Sequence, residues 1–576
     1  MRKLLLTLAV ALVLIGALAL PAAATPVSQL TALAEYFPDQ TPLFAAVRTD
    51  DDYVALLDSV VAKLGAVLPS GSLPVDSLSG ALDMMSQSFD PEGDFESIFR
   101  SWLGDTLAAG IVDASTLNER TPSMIIAAEI TDAALAEEYM MATGALERYS
   151  REERDGFVLY SPMSRMAGQP FVMFRSDVML ISVEAGNVES GGLQSTPLSA
   201  SETFTSTLAS LPAAEYNGVI YNNLPVILQA MMESGEMGQM MDEMPGMYMD
   251  MMSAVGPQAY GATILDGRSL TIDLVSTYTG ESTMEVLGVS MNSEPVDPTF
   301  ARFIPAGTPL VIHANNASFN YGTQIDLMRT MFSELIEQGM GEEEDLRELE
   351  QVIFAFETGV RGLTGLEPEE AFGWMTGDVA MYLGLTPRAA DASSLFAIIS
   401  ALPVDFAVTL EATDPAAAQA LVDGLANGLE NLPVDEVSVT REDIGGANAL
   451  VITVNSSDVP FPLELVLAAN DQVFSMGTRR YVTFAMQPGE GLDTDPAFQE
   501  AAATLLPNAS AVLYAAGEGL QPLARLAQME DNPSSTRRDG EMLEAFFNLV
   551  SSSSISAAMD ETGTVATGRM VWTLPE

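Results

Sequence analysis

The chain has 576 residues, and 48% of them are hydrophobic, which is enough for two or three domains with full-size cores. Its formal net charge of -55 repels nucleic acid phosphates and anionic lipid headgroups, so we expect neither as a partner. The chain has no cysteine, which excludes disulfides, thiolate metal sites and cysteine nucleophiles.

The first 24 residues have the three parts of a secretory signal peptide. Arg2 and Lys3 are basic, Leu4 to Leu20 is an apolar run, and Ala22 to Ala24 is a small-x-small cleavage pattern. No later stretch has about 18 uninterrupted apolar residues, the length a membrane-spanning helix needs. We therefore expect cleavage after Ala24, in preference to a retained anchor, and a soluble secreted or extracytoplasmic product without membrane insertion.

Short sequence patterns occur twice, in the same order. The matching pairs are 36–43 with 303–310, 102–105 with 374–378, 129–132 with 411–414, and 211–212 with 506–507. The spacing between matching landmarks grows along the chain and then stays constant, as expected if the second copy gained loop residues in its first part. The sequence thus predicts a signal peptide (1–24), a first α+β repeat (25–285), a linker (286–299) and a second α+β repeat (300–576).

Each copy is predicted to contain strands joined by tight turns and amphipathic helices between them. In the first copy the predicted strands are 43–47, 106–112, 123–130, 157–160, 170–175, 178–183 and 217–221. One predicted helix starts at residue 51, and three others are predicted at 132–146, 201–210 and 224–252. Asp266-Gly267 is a strong hairpin signal that closes the copy. The tight turns predict a mostly antiparallel sheet, with helices on at least one face.

Three of the repeated motifs carry a resemblance to a known family. They are Pro-x-x-Thr-Pro at 38–42, Trp-x-Gly-Asp at 102–105 and Glu-x-Thr-Asp at 129–132. The chain resembles, over most of its mature length, the bacterial exported proteins grouped as domain of unknown function 3352. The resemblance implies the fold and the compartment. It implies no activity, substrate, cofactor or site residue.

Histidine is almost absent, which limits the possible chemistry. His313 is the only one, and it lies in the alternating strand 310–313, so we favour a structural or surface role over the base of a triad. Its counterpart in the first copy is Ala46. The chain has no G-x-S-x-G, Walker A or H-E-x-x-H pattern.

Carboxylates are abundant, and a pair of them could in principle act as acid and base. Asp105 and Asp378 are the best candidates, because each follows a tryptophan and a glycine. We favour a structural role, in which the aspartate caps or orients the next strand. Asp132 and Asp414 are predicted helix N-caps, and 342–345 is an acidic run at a helix start. We therefore predict no catalytic, cofactor-binding or metal-ligating residue.

Ten methionines crowd one short segment of the first copy. They are Met231, Met232, Met237, Met240, Met241, Met244, Met247, Met249, Met251 and Met252. Thioethers bind Cu(I), but they also form adaptable apolar surfaces, and no His or Cys supports a copper site here. We favour a core-lining helix pair or a pliable apolar groove, with copper binding as the alternative.

These patterns favour a secreted or cell-envelope protein that acts as a non-enzymatic binding or scaffold module. The expected partner is an unknown protein or small-molecule ligand, with no nucleic acid and no cofactor. One alternative is a carrier of an apolar ligand, or a copper binder, through the segment 231–252. The least favoured alternative is a carboxylate-dependent hydrolase.

Overall fold

The computed structural model describes sixteen stretches of the chain. They are 24–67, 99–117, 122–142, 144–164, 169–233, 254–265, 268–278, 294–316, 320–337, 343–385, 404–430, 437–455, 463–517, 519–521, 550–560 and 562–574. Residues 1–23 of the predicted signal peptide, the Asp266-Gly267 turn, most of the predicted linker and the methionines from Met237 to Met252 lie outside these residues.

Strands dominate both halves of the chain. The first half contains β1 (Thr25–Pro26), β2 (Leu43–Arg48), β3 (Leu103–Ile111), β4 (Met124–Ile130), β5 (Tyr149–Arg154), β6 (Phe157–Pro162), β7 (Phe171–Arg175), β8 (Val178–Ser182), β9 (Glu215–Tyr216), β10 (Gly218–Asn222), β11 (Val255–Leu265) and β12 (Ser269–Tyr278). The second half contains β13 (Leu310–Asn315), β14 (Asp378–Leu385), β15 (Val404–Glu411), β16 (Val437–Ile444), β17 (Ala447–Val454), β18 (Leu463–Ala469), β19 (Val473–Gly477), β20 (Ala511–Ala516), β21 (Ser552–Met559) and β22 (Val565–Thr573).

Helices connect these strands. The α-helices are α1 (Val27–Leu30), α2 (Asp51–Val67), α3 (Ala133–Ala142), α4 (Gly186–Glu189), α5 (Glu202–Ala209), α6 (Leu224–Glu233), α7 (Tyr321–Glu337), α8 (Glu343–Thr364), α9 (Pro368–Phe372), α10 (Pro415–Leu429), α11 (Arg479–Met486) and α12 (Pro496–Ala502). Short 3-10 helices cover Ala32–Tyr36, Ala114–Thr116, Leu198–Ala200, Pro298–Phe303 and Leu492–Thr494.

Twenty of the described strands form one sheet in which every pairing is antiparallel. From one edge to the other the order is β5-β6-β7-β8-β4-β3-β2-β10-β11-β12-β22-β21-β20-β13-β14-β15-β19-β18-β17-β16. The mixed helix and strand content and the large antiparallel sheet agree with the predicted α+β class. Read inward from each edge, the ten strands of either half follow the same connection order.

Local sequence signals explain where the helices begin. Asp50 accepts a hydrogen bond from the amide of Tyr53 in the first turn of α2, at 3.1 Å. The predicted caps of α3 and α10 are confirmed, because Asp132 and Asp414 each accept two backbone amides of the following turn. The helix expected at 132–146 ends earlier, at Ala142.

The edge strand β5 has no predicted counterpart. Its sequence, Tyr-Ser-Arg-Glu-Glu-Arg, is charged and lacks the alternating apolar pattern that signals a strand. The other edge strand, β16, is charged as well, with Arg441, Glu442 and Asp443 near its end. Charged edges oppose pairing with a further chain, so the polar sequence suits the position even though it hides the strand.

The two faces of the sheet bury different cores. On one face the strands pack against 3-10 helices and α5 in the first half, around Phe44, and against α11 in the second half, around Val311. On the opposite face the outer strands pack against α3, around Trp102, and against α10, around Trp374. Side chains alternate between the faces of a strand, so one sheet serves both layers.

The halves join where β12 pairs with β22 over nine residue pairs, from Ser269 opposite Thr573 to Thr277 opposite Val565. We call this pairing the seam. A buried ion pair lies within it, since Asp273 is opposite Arg569 and fully buried. The guanidinium Nε and Nη2 atoms donate to the two carboxylate oxygens at 2.7 and 2.9 Å.

Tyr216 completes the polar cluster of the seam. Its hydroxyl donates to Asp273 at 2.7 Å and accepts the Ala213 amide at 2.9 Å. Burial raises the pKa of Tyr216, so its hydroxyl stays protonated and available as a donor. The hydrogen bonds with Asp273 raise the pKa of Arg569. Gly261 leaves the space for the Tyr216 ring, because a Cβ there would lie 2.4 Å from it.

Removing the arginine should destabilise the protein strongly. Arg569→Met leaves the buried Asp273 carboxylate without its charged partner, which should lower the free energy of unfolding by roughly 3–5 kcal/mol. The double variant Arg569→Met/Asp273→Leu should recover part of this loss, because no buried charge then remains unpaired. Urea unfolding followed by circular dichroism measures both.

The exposed pair of Arg361 and Glu367 supplies the matched control. Their side chains are 50% and 52% exposed, so Arg361→Met should cost no more than about 1 kcal/mol. If Arg569→Met were no worse than Arg361→Met, the seam pair would not stabilise the sheet.

Candidate functional site: an uncharged sheet face

The single histidine lies in the core of the second half, paired with a predicted candidate carboxylate. His313 Nε2 lies 3.0 Å from Asp378 Oδ1, and both residues are buried. The two side chains therefore share one buried hydrogen bond. Asp378 also accepts the amide of Asp297 at 3.2 Å, and the Phe300 ring stacks on the imidazole with centroids 5.4 Å apart.

The other candidate carboxylate, Asp105, occupies a different environment. In the corresponding strand pairs, Arg48 lies opposite Thr106 and Asn315 lies opposite Asp378. Asp378 therefore matches Thr106 in strand register, because the second motif has one more residue between tryptophan and aspartate. The pairing of β3 with β4 shifts between Leu103 and Leu107, and Asp105 within this irregular stretch is exposed.

The tryptophans and glycines of these two motifs have packing roles in the structure. Trp102 and Trp374 are buried in equivalent cores. A Cβ at Gly104 would lie 2.6 Å from the Glu129 side chain, and one at Gly377 would lie 2.3 Å from Glu411. The missing Cβ at each glycine leaves room for the glutamate side chain to lie across the strand. These motifs therefore have a packing role.

The remaining candidates from the sequence lie apart from this pair. The acidic run at 342–345 marks a helix start, since α8 begins at Glu343. Of the methionine segment, Met231 and Met232 lie in α6, where Met232 is 46% exposed. Among the described residues, no group of three or more His, Cys, Asp or Glu side chains is arranged to hold a metal ion.

A large apolar surface lies on the central strands of the sheet. It is on the same face as α10, which packs against the outer strands of the second half. Three neighbouring rows of directly opposed residues cross the seven strands β15, β14, β13, β20, β21, β22 and β12. The rows are Leu410-Val379-Ala314-Ala511-Ala557-Gly568-Leu274, then Val408-Met381-Ile312-Leu513-Ile555-Met570-Ile272, then Phe406-Leu383-Leu310-Ala515-Ser553-Trp572-Leu270. We call these positions the apolar sheet face.

The apolar sheet face contains no charged side chain, and its only polar side chain is that of Ser553. Several of its large residues are open to solvent: Met381 is 49% exposed, Ile312 is 42% exposed and Ile555 is 37% exposed. At the usual strand spacing and rise, it measures roughly 30 Å across the strands and 13 Å along them. The largest apolar patch on a typical monomer covers about 300–600 Å² and is often functional, which makes this surface a candidate interaction site.

The opposite side of the same strands is polar in places and closed. Tyr382, Thr409 and Ser475 form a buried hydroxyl chain with oxygen separations of 2.9 Å. Burial raises the pKa of Tyr382 to about 12, so this chain is neutral. The apolar sheet face can thus bind apolar groups, and it offers no acid or base for chemistry.

Comparison with known proteins assigns the chain to a family. The family model described as protein of unknown function (DUF3352) matches residues 3–574. The chain belongs to this family. The resemblance expected from the sequence motifs is therefore confirmed. No curated protein and no solved structure matches this DUF3352 chain.

Sequence reasoning missed the apolar sheet face of this DUF3352 protein. Its residues come from seven strands scattered between 270 and 574, so no local window reveals them. A weak signal exists in β13, where Leu310 and Ile312 alternate with Val311 and His313 and both sets are apolar or aromatic. A strand that is apolar on both faces indicates two buried or binding surfaces. In the described part of the chain, no helix is long and apolar enough to cross a bilayer.

The unequal environments of Asp378 and Asp105 give a direct test. Asp378→Asn replaces the buried carboxyl group that accepts the Asp297 amide and is hydrogen-bonded to His313, so the free energy of unfolding should fall by roughly 1–3 kcal/mol. Asp105→Asn alters an exposed side chain and should change it by no more than about 0.5 kcal/mol. Thermal unfolding of both variants measures the difference. Equal effects would contradict the structural role given to Asp378.

Proposed function

We propose that this DUF3352 protein is a non-enzymatic, extracytoplasmic binding protein that holds an elongated apolar ligand on the apolar sheet face. The observation that carries the proposal is the uncharged surface across seven strands, of which Met381, Ile312 and Ile555 remain more than one third exposed. Covering such side chains releases roughly 25 cal/mol per Å² of apolar area, which favours a ligand with long hydrocarbon parts.

The ligand is best described as an acyl-chain or similarly apolar small molecule, uncharged or cationic. The formal net charge of -55 opposes anionic head groups and also opposes pairing with a second copy of the chain. A small uncharged molecule meets neither form of repulsion. This choice favours the apolar-carrier alternative from the sequence, but it moves the binding surface from 231–252 to the sheet.

The proposal of a non-enzymatic protein rests on the structural environments of the candidate carboxylates. Asp132 and Asp414 cap helices, and Asp378 pairs with His313 in the core. Asp105 is exposed and its backbone carbonyl accepts the Thr49 amide. None of these four residues belongs to the apolar sheet face.

We also propose that the chain is two tandem copies of one α+β unit, at 25–285 and 300–576. The identical connection order of the ten strands in each half supports this. Matched details support it too: Thr41 and Thr308 each donate a hydroxyl hydrogen bond to the proline carbonyl three residues earlier, at 2.7 Å. Such a duplication explains how one sheet can hold twenty strands.

Export is the remaining part of the proposal, and it has a simple test. The sequence Ala22-Ala23-Ala24 favours cleavage before Thr25. N-terminal sequencing of protein recovered outside the cytoplasm should begin at or near Thr25. A secreted form that retains Met1 would contradict cleavage.

Ligand binding can be tested with an uncharged environment-sensitive dye and a competing fatty alcohol. Nile red should fluoresce on the wild-type protein and be displaced by the alcohol. Ile312→Thr combined with Met381→Gln should weaken dye binding at least about tenfold, because two of the most exposed apolar contacts, worth roughly 1.4 kcal/mol together, are lost. Fluorescence titration measures the affinities.

The control changes a more exposed apolar side chain elsewhere on the surface. Met163 is 69% exposed and lies outside the apolar sheet face, so Met163→Gln should leave dye binding unchanged. Circular dichroism verifies that each variant is folded. Equal dye binding by the wild type and the Ile312→Thr/Met381→Gln variant would refute this location of the ligand.

A further inference from the structure

A row of polar residues adjoins the apolar sheet face on its first-half side. Strands β10, β11 and β12 place Asn222, Gln258 and Ser276 directly opposite one another. Ser276 comes two residues after Leu274 of the apolar sheet face, so the two side chains lie on the same face of β12. The polar row therefore continues the same surface, roughly 7 Å along the strands from the nearest apolar row.

Two hydrogen bonds hold the middle of this row. Gln258 Nε2 donates to Ser276 Oγ at 3.4 Å, and the Tyr260 hydroxyl donates to Gln258 Oε1 at 3.2 Å. Tyr260 lies opposite Leu274, so its ring borders the apolar sheet face directly. Burial raises the pKa of Tyr260, which keeps its hydroxyl neutral. We call Asn222, Gln258, Tyr260 and Ser276 the polar cluster, and none of its members carries a charge.

Asn222 ends the polar row, because the next strand places Leu43 opposite it. Its Oδ1 atom is buried and has no hydrogen-bond partner among the described residues. A buried polar atom without a partner destabilises the folded state. A ligand group that hydrogen-bonds to Asn222 would offset this cost, and the position beside the apolar sheet face is where the polar end of an amphiphile would lie.

The amide of Asn222 favours a hydroxyl as its ligand group. An amide has an acceptor oxygen and a donor nitrogen of nearly the same shape, and a hydroxyl can both donate and accept. A hydroxyl therefore satisfies the amide in either orientation. Within the polar cluster no carboxylate is present to pair with a cationic head group, and the formal net charge of -55 opposes an anionic one.

The position of the cluster also suits a long alkyl chain. Three strand spacings, roughly 14 Å, separate β11 from β21. Ile555 on β21 is 37% exposed and belongs to the apolar sheet face. A chain that starts at the polar cluster can thus run across the strands and cover apolar side chains as far as Ile555.

We propose that the polar cluster binds the hydroxyl head group of a neutral long-chain amphiphile, whose alkyl chain lies on the apolar sheet face. The inference rests on the proposed function and narrows it, because it gives the ligand a direction and a head-group chemistry. Asn222 binds the hydroxyl, and Gln258 and Tyr260 border the same head group.

Displacement of Nile red by matched competitors tests the head group. The competitors are 1-dodecanol and its methyl ether, which has the same alkyl chain and lacks the hydroxyl donor. The alcohol should displace the dye from the wild-type protein at a concentration at least about tenfold lower than the ether, because a site that hydrogen-bonds a hydroxyl discriminates against an analogue without one. Fluorescence titration gives both concentrations.

Asn222→Leu should abolish this preference for the alcohol and leave the affinity for Nile red unchanged. It should not lower the melting temperature, since it removes a buried polar atom that has no partner. Gln258→Met provides a second variant and should reduce the preference as well.

Asn187→Leu is the matched control. Asn187 is half-buried like Asn222, and it donates to Ser182 at 3.1 Å. It lies in α4, which packs with the Phe44 core on the opposite face of the sheet. This change should lower the melting temperature and leave the preference for the alcohol intact.

The possible failures are distinguishable. Equal displacement by the alcohol and the ether in the wild type would refute the head-group site, and so would an unchanged preference in both Asn222→Leu and Gln258→Met. The proposed function would stand in either case if Ile312→Thr/Met381→Gln still weakened dye binding. Absence of dye binding by the wild type would refute both.

Discussion

The pairing of β12 with β22 is the constraint on which the rest of the structure depends. Without it each half would end in an unpaired strand of about ten residues, with a full row of free backbone donors and acceptors. The pairing satisfies these groups, and the Asp273–Arg569 ion pair fixes the register. A shift of one residue would turn Arg569 to the other face, and a shift of two would leave the buried carboxylate unpaired.

The seam register also determines whether the apolar sheet face exists. Each of its three rows crosses from β22 to β12, and the middle row does so at Met570 opposite Ile272. Asp273 and Arg569 alternate with these apolar residues along the same two strands. One register therefore places the ion pair on the buried side and the apolar rows on the open side. A defect at the ion pair would interrupt the surface proposed for the ligand.

Much of the fold follows from local signals in the sequence. The strand at 43–47, the helix from Asp51, and the caps at Asp132 and Asp414 are set by short-range alternation and by hydrogen bonds within one turn. The α+β class and the antiparallel pairing follow from the tight turns. The charged edge strand β5 could not be recognised, because its position at the edge, and not its pattern, makes it a strand.

Much less of the candidate site than of the fold could be predicted from the sequence. The two Trp-Gly-Asp motifs look alike, but one added residue moves Asp378 into a buried register position and leaves Asp105 in an exposed one. Asp378 and Phe300, which contact His313, come from other segments of the chain. No spacing in the sequence therefore predicts these contacts. The apolar sheet face depends in the same way on long-range register across seven strands.

The acidic surface and the apolar sheet face make physical sense together. An exposed apolar area of roughly 30 Å by 13 Å would promote self-association in a protein of low net charge. Here two approaching copies each carry a formal charge of -55, and they begin to repel once they come within about a Debye length, near 10 Å at 0.1 M salt. An uncharged small molecule reaches the same surface without that repulsion. The net charge thereby helps to keep the apolar sheet face available for the proposed ligand.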